Sequence, residues 1–268
     1  MTLKKSALDM EWWQFRKKEK KFLESRAEKK DTFLNKKLEE KVPPKLQGTL
    51  DTAFAKAFGM IFEKGTGIIE KTYKKEELQK SYRINEYADE IWQTRGSLKV
   101  FEKKAEKAGR LNLLLSGTVG IGMGAFGAGL PDIALFVGFI LRSVYEIALD
   151  YGFEYESEEE RSFILMIIEG AVSYGEDLSR IDKRINVYIE RNEMPEDYDE
   201  KQQIARTAAG LSKELLYMKF LQGVPIVGVV GGAYDVVYLK KITEYANLKY
   251  KRRFLLKKMG VQGIITCR

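Results

Sequence analysis

Apolar residues recur at helical spacing along most of the chain, and two stretches carry no charge at all. Residues 7–40 read as one long, charge-rich helix with an incomplete apolar stripe of Leu8, Trp12, Phe15, Phe22, Phe33, Leu34 and Leu38, stopped by Pro43-Pro44. Leu50, Phe54, Ala57, Phe58, Ile61 and Phe62 then define a better amphipathic helix. Residues 76–108 are helical but weakly patterned, with Leu78, Tyr82 and Ile91 as candidate inward positions.

At Leu111 the pattern changes. Residues 111–131 contain no formal charge, and after Asp132 nine more apolar or glycine residues precede Arg142. On a helix, Gly117, Gly120, Gly124 and Gly127 fall at i, i+3, i+7 and i+10 and share one face. Each glycine weakens a helix in water by about 0.8–1 kcal/mol relative to alanine, so such a helix needs close backbone approach in return. Pro131 and Asp132 suit a first helical turn. Ile133, Phe136, Val137, Ile140, Val144 and Ile147 extend that helix to a stop at Tyr151-Gly152. Residues 111–151 therefore read as a helical hairpin.

Ser157 and Glu160 have capping-box spacing ahead of a helix through Phe163, Ile164, Ile167, Ile168 and Ala171. A further helix carries Leu178, Ile181, Ile185 and Tyr188; the loop 192–195 follows, then a helix over 199–221 with Ile204, Ala208, Leu211 and Leu215 inward. A second uncharged stretch, residues 220–234, holds Gly223, Gly228, Gly231 and Gly232, and runs into a basic, tyrosine-rich segment over 238–258. The fold expected is all-α, a multi-helix bundle built around two glycine-rich apolar segments. It divides into a basic N-terminal helical extension (1–45), a main domain (46–260) and a tail (261–268).

Composition narrows the chemistry. Histidine is absent and the single cysteine is Cys267, which removes the commonest general base and metal ligand and excludes intrachain disulfides and thiolate clusters. No catalytic, cofactor or metal site is expected. The net charge of +7 is uneven: residues 1–45 carry 14 Lys/Arg against 8 acids, residues 236–268 carry 9 against 1, and residues 146–200 carry 5 against 17. The N-terminus has no apolar core of signal-peptide length, so a cytoplasmic origin is expected.

The remaining candidates each have a plain reading. Asp132 is a helix-start carboxylate, Arg142 pairs locally with Glu146, and Asp235 marks the end of a buried run; the alternative joins all three in a buried ionic network. Trp12 and Trp13 among lysines have the composition of an interfacial anchor, but adjacent residues do not share a helix face. Lys249, Lys251, Arg252, Arg253, Lys257 and Lys258 suit an anionic lipid surface or the chain's own acidic middle; no nucleic-acid module is visible. Gly120, Gly122 and Gly124 lack the strand and Lys-Ser/Thr of a phosphate loop, and residues 154–160 lack EF-hand spacing.

Two segments, GAGLPDIALFVGFILRSVYEIALDYGF (127–153) and VPIVGVVGGAYDVVYLKKITEYANLKYKRRFL (224–255), resemble the EcsC family. The resemblance covers roughly residues 45–258. It implies a helical bacterial protein linked to an ABC transporter by name and gene neighbourhood, with no catalytic residues to carry over.

The expectation is thus a non-enzymatic accessory protein on the cytoplasmic side of the membrane, peripheral or partly inserted, with an anionic surface or membrane protein as partner. Hydropathy does not separate a buried helix pair from an inserted one. A soluble enzyme or small-molecule binder using Asp132 and Arg142, and a homo-oligomeric scaffold, are the alternatives.

Overall fold

The computed structural model describes residues 6–28, 44–64, 66–116, 131–194, 198–221 and 233–260, and among these there is helix and no strand. The helices are α1 (Ala7–Glu24), α2 (Pro44–Lys64), α3 (Gly67–Glu70), α4 (Lys75–Trp92), α5 (Arg95–Ser116), α6 (Pro131–Asp150), α7 (Glu158–Ala171), α8 (Gly175–Arg191), α9 (Glu200–Leu221) and α10 (Ala233–Lys258). The all-α expectation is met; the glycines Gly117, Gly120, Gly124, Gly127, Gly228, Gly231 and Gly232 lie outside the described residues.

Two helices form the centre. In α6 the apolar residues exceed what one face can hold, and Val137, Ile140, Leu141, Val144, Tyr145 and Ile147 are all fully buried. It ends where glycine permits: Gly152 sits at φ +78°, Gly152 N–H donates to Leu149 O and Phe153 N–H to Ala148 O, a Schellman closure. The position also demands a missing side chain, because a Cβ on Gly152 would stand 2.1 Å from Tyr82 Cζ. The other central helix is α10, enclosed by α1, α5, α6, α7 and α8. Its residues from Tyr245 to Arg252 are consecutively buried, so it shows no apolar face.

Three expectations about element ends are corrected. The helix expected over 7–40 stops at Glu24: Ser25 Oγ donates to Phe22 O, and the Arg26 guanidinium donates to Ala171 O, drawing the chain toward the α7–α8 turn. The weakly patterned 76–108 is two helices, divided where Gln93 adopts a left-handed conformation (φ 44°) and Thr94 and Ser97 cap each other, backbone N–H to hydroxyl, at 3.1 Å both ways. Ile91, expected inward, is 60% exposed. The Ser157 cap forms, with Glu160 N–H donating to its hydroxyl at 3.1 Å, but the Glu160 side chain does not return to complete the box. The inward residues expected on α8 (Leu178, Ile181, Ile185, Tyr188) and Ala208, Leu211 and Leu215 on α9 are buried.

Contacts fix helix directions. Phe101 meets Phe254 and Gly109 meets Thr243, so α5 and α10 are antiparallel. Tyr151, just past the end of α6, meets Asn247 and Phe254 in the C-terminal half of α10, which sets α6 parallel to α10. Phe54, midway along α2, meets Phe136 near the start of α6. In the second half of α9, Ser212 meets Gln47 near the start of α2, and Glu214 O accepts from Tyr238 near the start of α10. It follows that Ser116, Pro131, Leu221 and Ala233 stand at the same pole of the bundle. The N-terminus of α1 and the C-terminus of α10 stand at the other, where Arg95 binds Glu11 and Lys258 binds Asp89.

Candidate functional site

The most concentrated chemistry is on α10, where a cationic run passes through the middle of the protein. Lys249 is fully buried, its Nζ 2.5 Å from Asp182 Oδ1 in α8 and 3.0 Å from Glu19 Oε1 in α1. Arg252 reaches the other Glu19 oxygen at 2.9 Å and Glu190 at 2.6 Å. Lys251 lies 2.8 Å from Glu11 and 2.6 Å from Glu102. Arg253 binds Glu160 at 2.6 Å and lies over the Phe153 ring at 4.3 Å. Burial works against the Arg253 charge, and Glu160 outweighs it, so its pKa is raised. Charges removed from water persist only when paired in this way.

Tyrosines complete the partners. Tyr250 Oη donates to Glu160 at 2.7 Å and Tyr245 Oη to Asp182 at 2.7 Å. Burial, followed by the neighbouring carboxylates, pushes both phenols well above their ordinary range, so neither releases a proton near neutrality. The α1 side of the seam is written at i, i+4 and i+8 as Glu11, Phe15 and Glu19, all buried.

Beside this seam a cleft of about 580 Å³ opens between α1, α5 and α10. Phe22, Ala105 and Leu248 give it apolar wall, while Lys18, Glu102, Glu106 and Lys251 supply charge. Lys18 Nζ is 2.9 Å from Glu102 and 3.3 Å from Glu106. Burial pulls the Lys18 ammonium down, but the two carboxylates raise it above its ordinary value and keep it protonated. Glu102, disfavoured by burial, is held low by Lys251 and Lys18. The lining offers apolar surface and charges of both signs to a bound molecule.

A second polar line runs down α6 through Arg142, Glu146 and Asp150. Arg142 Nε binds Glu146 at 2.9 Å, the local pairing, and Arg142 does not line the cleft. Asp132 and Asp235 occupy the first turns of α6 and α10, and their side chains lie outside the described residues. Asp150, 4% exposed, is pushed up to about 7, first by burial and then by Glu146, against the pull of Lys104. Among the described residues no group of three or more Cys, Asp or Glu is placed to hold a metal ion.

Of the two partners open to the basic run, the structure gives Lys249, Lys251, Arg252 and Arg253 to the chain's own acids, from α1 and α5 as well as the acidic middle. Trp12 is half-buried, with Arg252 5.5 Å over its ring, and Trp13 is 51% exposed. Both stand near the pole opposite Ser116 and Ala233. The seam escaped sequence reasoning because a run of lysines and arginines reads as solvated. The signal was the regular Glu11–Phe15–Glu19 spacing, which sets carboxylates on an inward face.

No curated protein and no solved structure matches the chain. The EcsC protein family matches residues 9–255, a span that takes in α1 and extends the resemblance well before residue 45. With the match missing only the first eight and last thirteen of 268 residues, the chain belongs to the EcsC protein family.

Proposed function

We propose that the chain is a non-enzymatic accessory protein that docks on the cytoplasmic face of a membrane, there serving a membrane partner such as an ABC transporter. The observation that carries this reading is the shared pole of Ser116, Pro131, Leu221 and Ala233. The chain between the first two of these ends, and between the second two, is uncharged and glycine-rich in sequence. Two uncharged segments delivered to one end of a charged bundle suit shallow burial in the headgroup and acyl boundary. Among the described residues no helix is long and apolar enough to cross a membrane.

Exposed Lys45, Lys107, Lys213 and Lys240 lie in the halves of α2, α5, α9 and α10 nearest this pole, with Glu244 beside Lys240. Each lysine near an anionic leaflet contributes about 1 kcal/mol. The buried α10 cations Lys249, Lys251 and Arg252 add little, being paired inside the protein. The transporter as partner class rests on the family resemblance alone.

Co-sedimentation of the full chain with phosphatidylglycerol–phosphatidylethanolamine vesicles tests the docking. Binding is expected, with loss on Ile226→Asp and Val229→Asp while circular dichroism stays unchanged. A chain that remains in the supernatant at low salt, and in native cells fractionates as fully soluble, overturns the reading.

A further inference from the structure

We propose that α4 pairs with α4 of a second copy of this chain, antiparallel, across a two-fold axis. Helix α4 buries one side against α5 and α6 through Tyr82 and Asp89. Its opposite side exposes Ile84 (69%), Tyr87 (68%), Ile91 (60%) and Trp92 (70%). Ile84, Tyr87 and Ile91 recur at i, i+3 and i+7 and so form one stripe along the helix. Large apolar and aromatic side chains aligned on an exposed helix face are the composition of an interface centre.

The flanking charges select the occupant. Arg83 and Glu90, both exposed, lie seven residues apart on the same side of the stripe. A two-fold axis perpendicular to the helix pair keeps each flank on its own side and reverses chain direction. Arg83 of one copy then meets Glu90 of the other, and the reverse pair forms by symmetry, while Ile84 and Tyr87 interleave between the helices. A parallel pairing would instead carry the Arg83–Glu90 flanks of the two copies to opposite sides of the helix pair, so neither charge pair would form. The stripe is therefore self-complementary in charge as well as apolar. Its C-terminal end lies near the pole opposite Ser116 and Ala233, where Lys258 binds Asp89, away from the proposed membrane-docking pole. One helix pair is a small contact, and the expected dimer is a reversible one of micromolar strength.

Sedimentation velocity on the full chain at rising concentration tests this. A monomer–dimer equilibrium is expected. Ile84→Asp or Ile91→Asp should leave a monomer at every concentration, and because both side chains are exposed the fold, read by circular dichroism, stays intact. Arg83→Glu should weaken the dimer about tenfold or more, and adding Glu90→Arg should restore it. A wild-type chain that stays monomeric, a dimer indifferent to Ile84→Asp, or a charge swap that restores nothing overturns the proposal. So does loss of vesicle binding on Ile84→Asp without change in association state, which would make the stripe a membrane contact.

Discussion

Lys249 Nζ lies 2.5 Å from Asp182 Oδ1 in a position where the lysine side chain has no exposure to solvent. Glu19 approaches the same ammonium at 3.0 Å from α1, and Asn186 Oδ1 accepts from it at 3.0 Å. One cation thus ties α1, α8 and α10 together, and its stability value is conditional on all of its partners being present.

Removing that cation leaves buried Asp182 with hydrogen bonds from Tyr245 and Asn186 in place of the ion pair, and Glu19 with arginines alone. Lys249→Ala should lower the unfolding free energy by about 3–5 kcal/mol, the cost of leaving one side of a buried pair uncompensated. Urea denaturation followed by circular dichroism measures it, and a loss below about 1 kcal/mol would mean that the pair behaves as a surface one.

Removing α1 reverses the imbalance. A chain starting at residue 44 lacks Glu11 and Glu19, so Lys249 and Lys251 each lose a carboxylate partner and Arg252 keeps only Glu190. The truncated protein should aggregate or show no cooperative melting transition, whereas a dispensable extension would leave the transition unchanged.

The Asp150 carboxyl gives a pH dependence of definite sign. Its pKa rises from 3.8 unfolded to about 7 folded, so the native state holds the proton more tightly than the unfolded chain. Its favourable contribution is complete below pH 4, falls as pH rises toward 7, and is absent above, a change of at most about 4 kcal/mol. Asp150→Asn should flatten that slope, seen as denaturation midpoints at pH 5 and pH 8 that move together relative to wild type.

Gly152 combines two constraints at one position. Alanine there meets a backbone at φ +78° and places its Cβ against the Tyr82 ring. The conformational cost of about 1–2 kcal/mol and the overpacking cost of about 1–3 kcal/mol act together, for an expected loss of about 2–5 kcal/mol. Asparagine, which tolerates the left-handed conformation, should fare no better because the ring remains in the way; calorimetric melting of both variants decides it.

What could be read from the sequence tracks how one-sided each helix is. Helices α8 and α9 bury one face, and their apolar spacing names Ile181, Ile185, Leu211 and Leu215 as inward residues. Helix α6 is announced by Pro131 and closed by Gly152, residues whose backbone preferences act locally. Helix α10 is buried on every side from Tyr245 to Arg252, so apolar, phenolic and cationic residues alternate around it there and no period survives. The break at Gln93-Thr94 depends on a left-handed residue and a reciprocal cap, which leave no mark on hydrophobic spacing. The candidate site was least legible of all, because a buried lysine is identified only by carboxylates brought in from other helices.

The distance along the chain between those partners bears on synthesis. Lys249 and Glu19 are 230 residues apart, and Lys251 and Glu11 are 240. At roughly 5–20 residues per second, a ribosome takes on the order of ten to fifty seconds to travel from one to the other. Throughout that interval Glu19 and Glu11 lack the lysines of α10, and the seam they line stays incomplete. The seam around α10 therefore closes only once residues 249–253 have been made, long after the α1 carboxylates that line it.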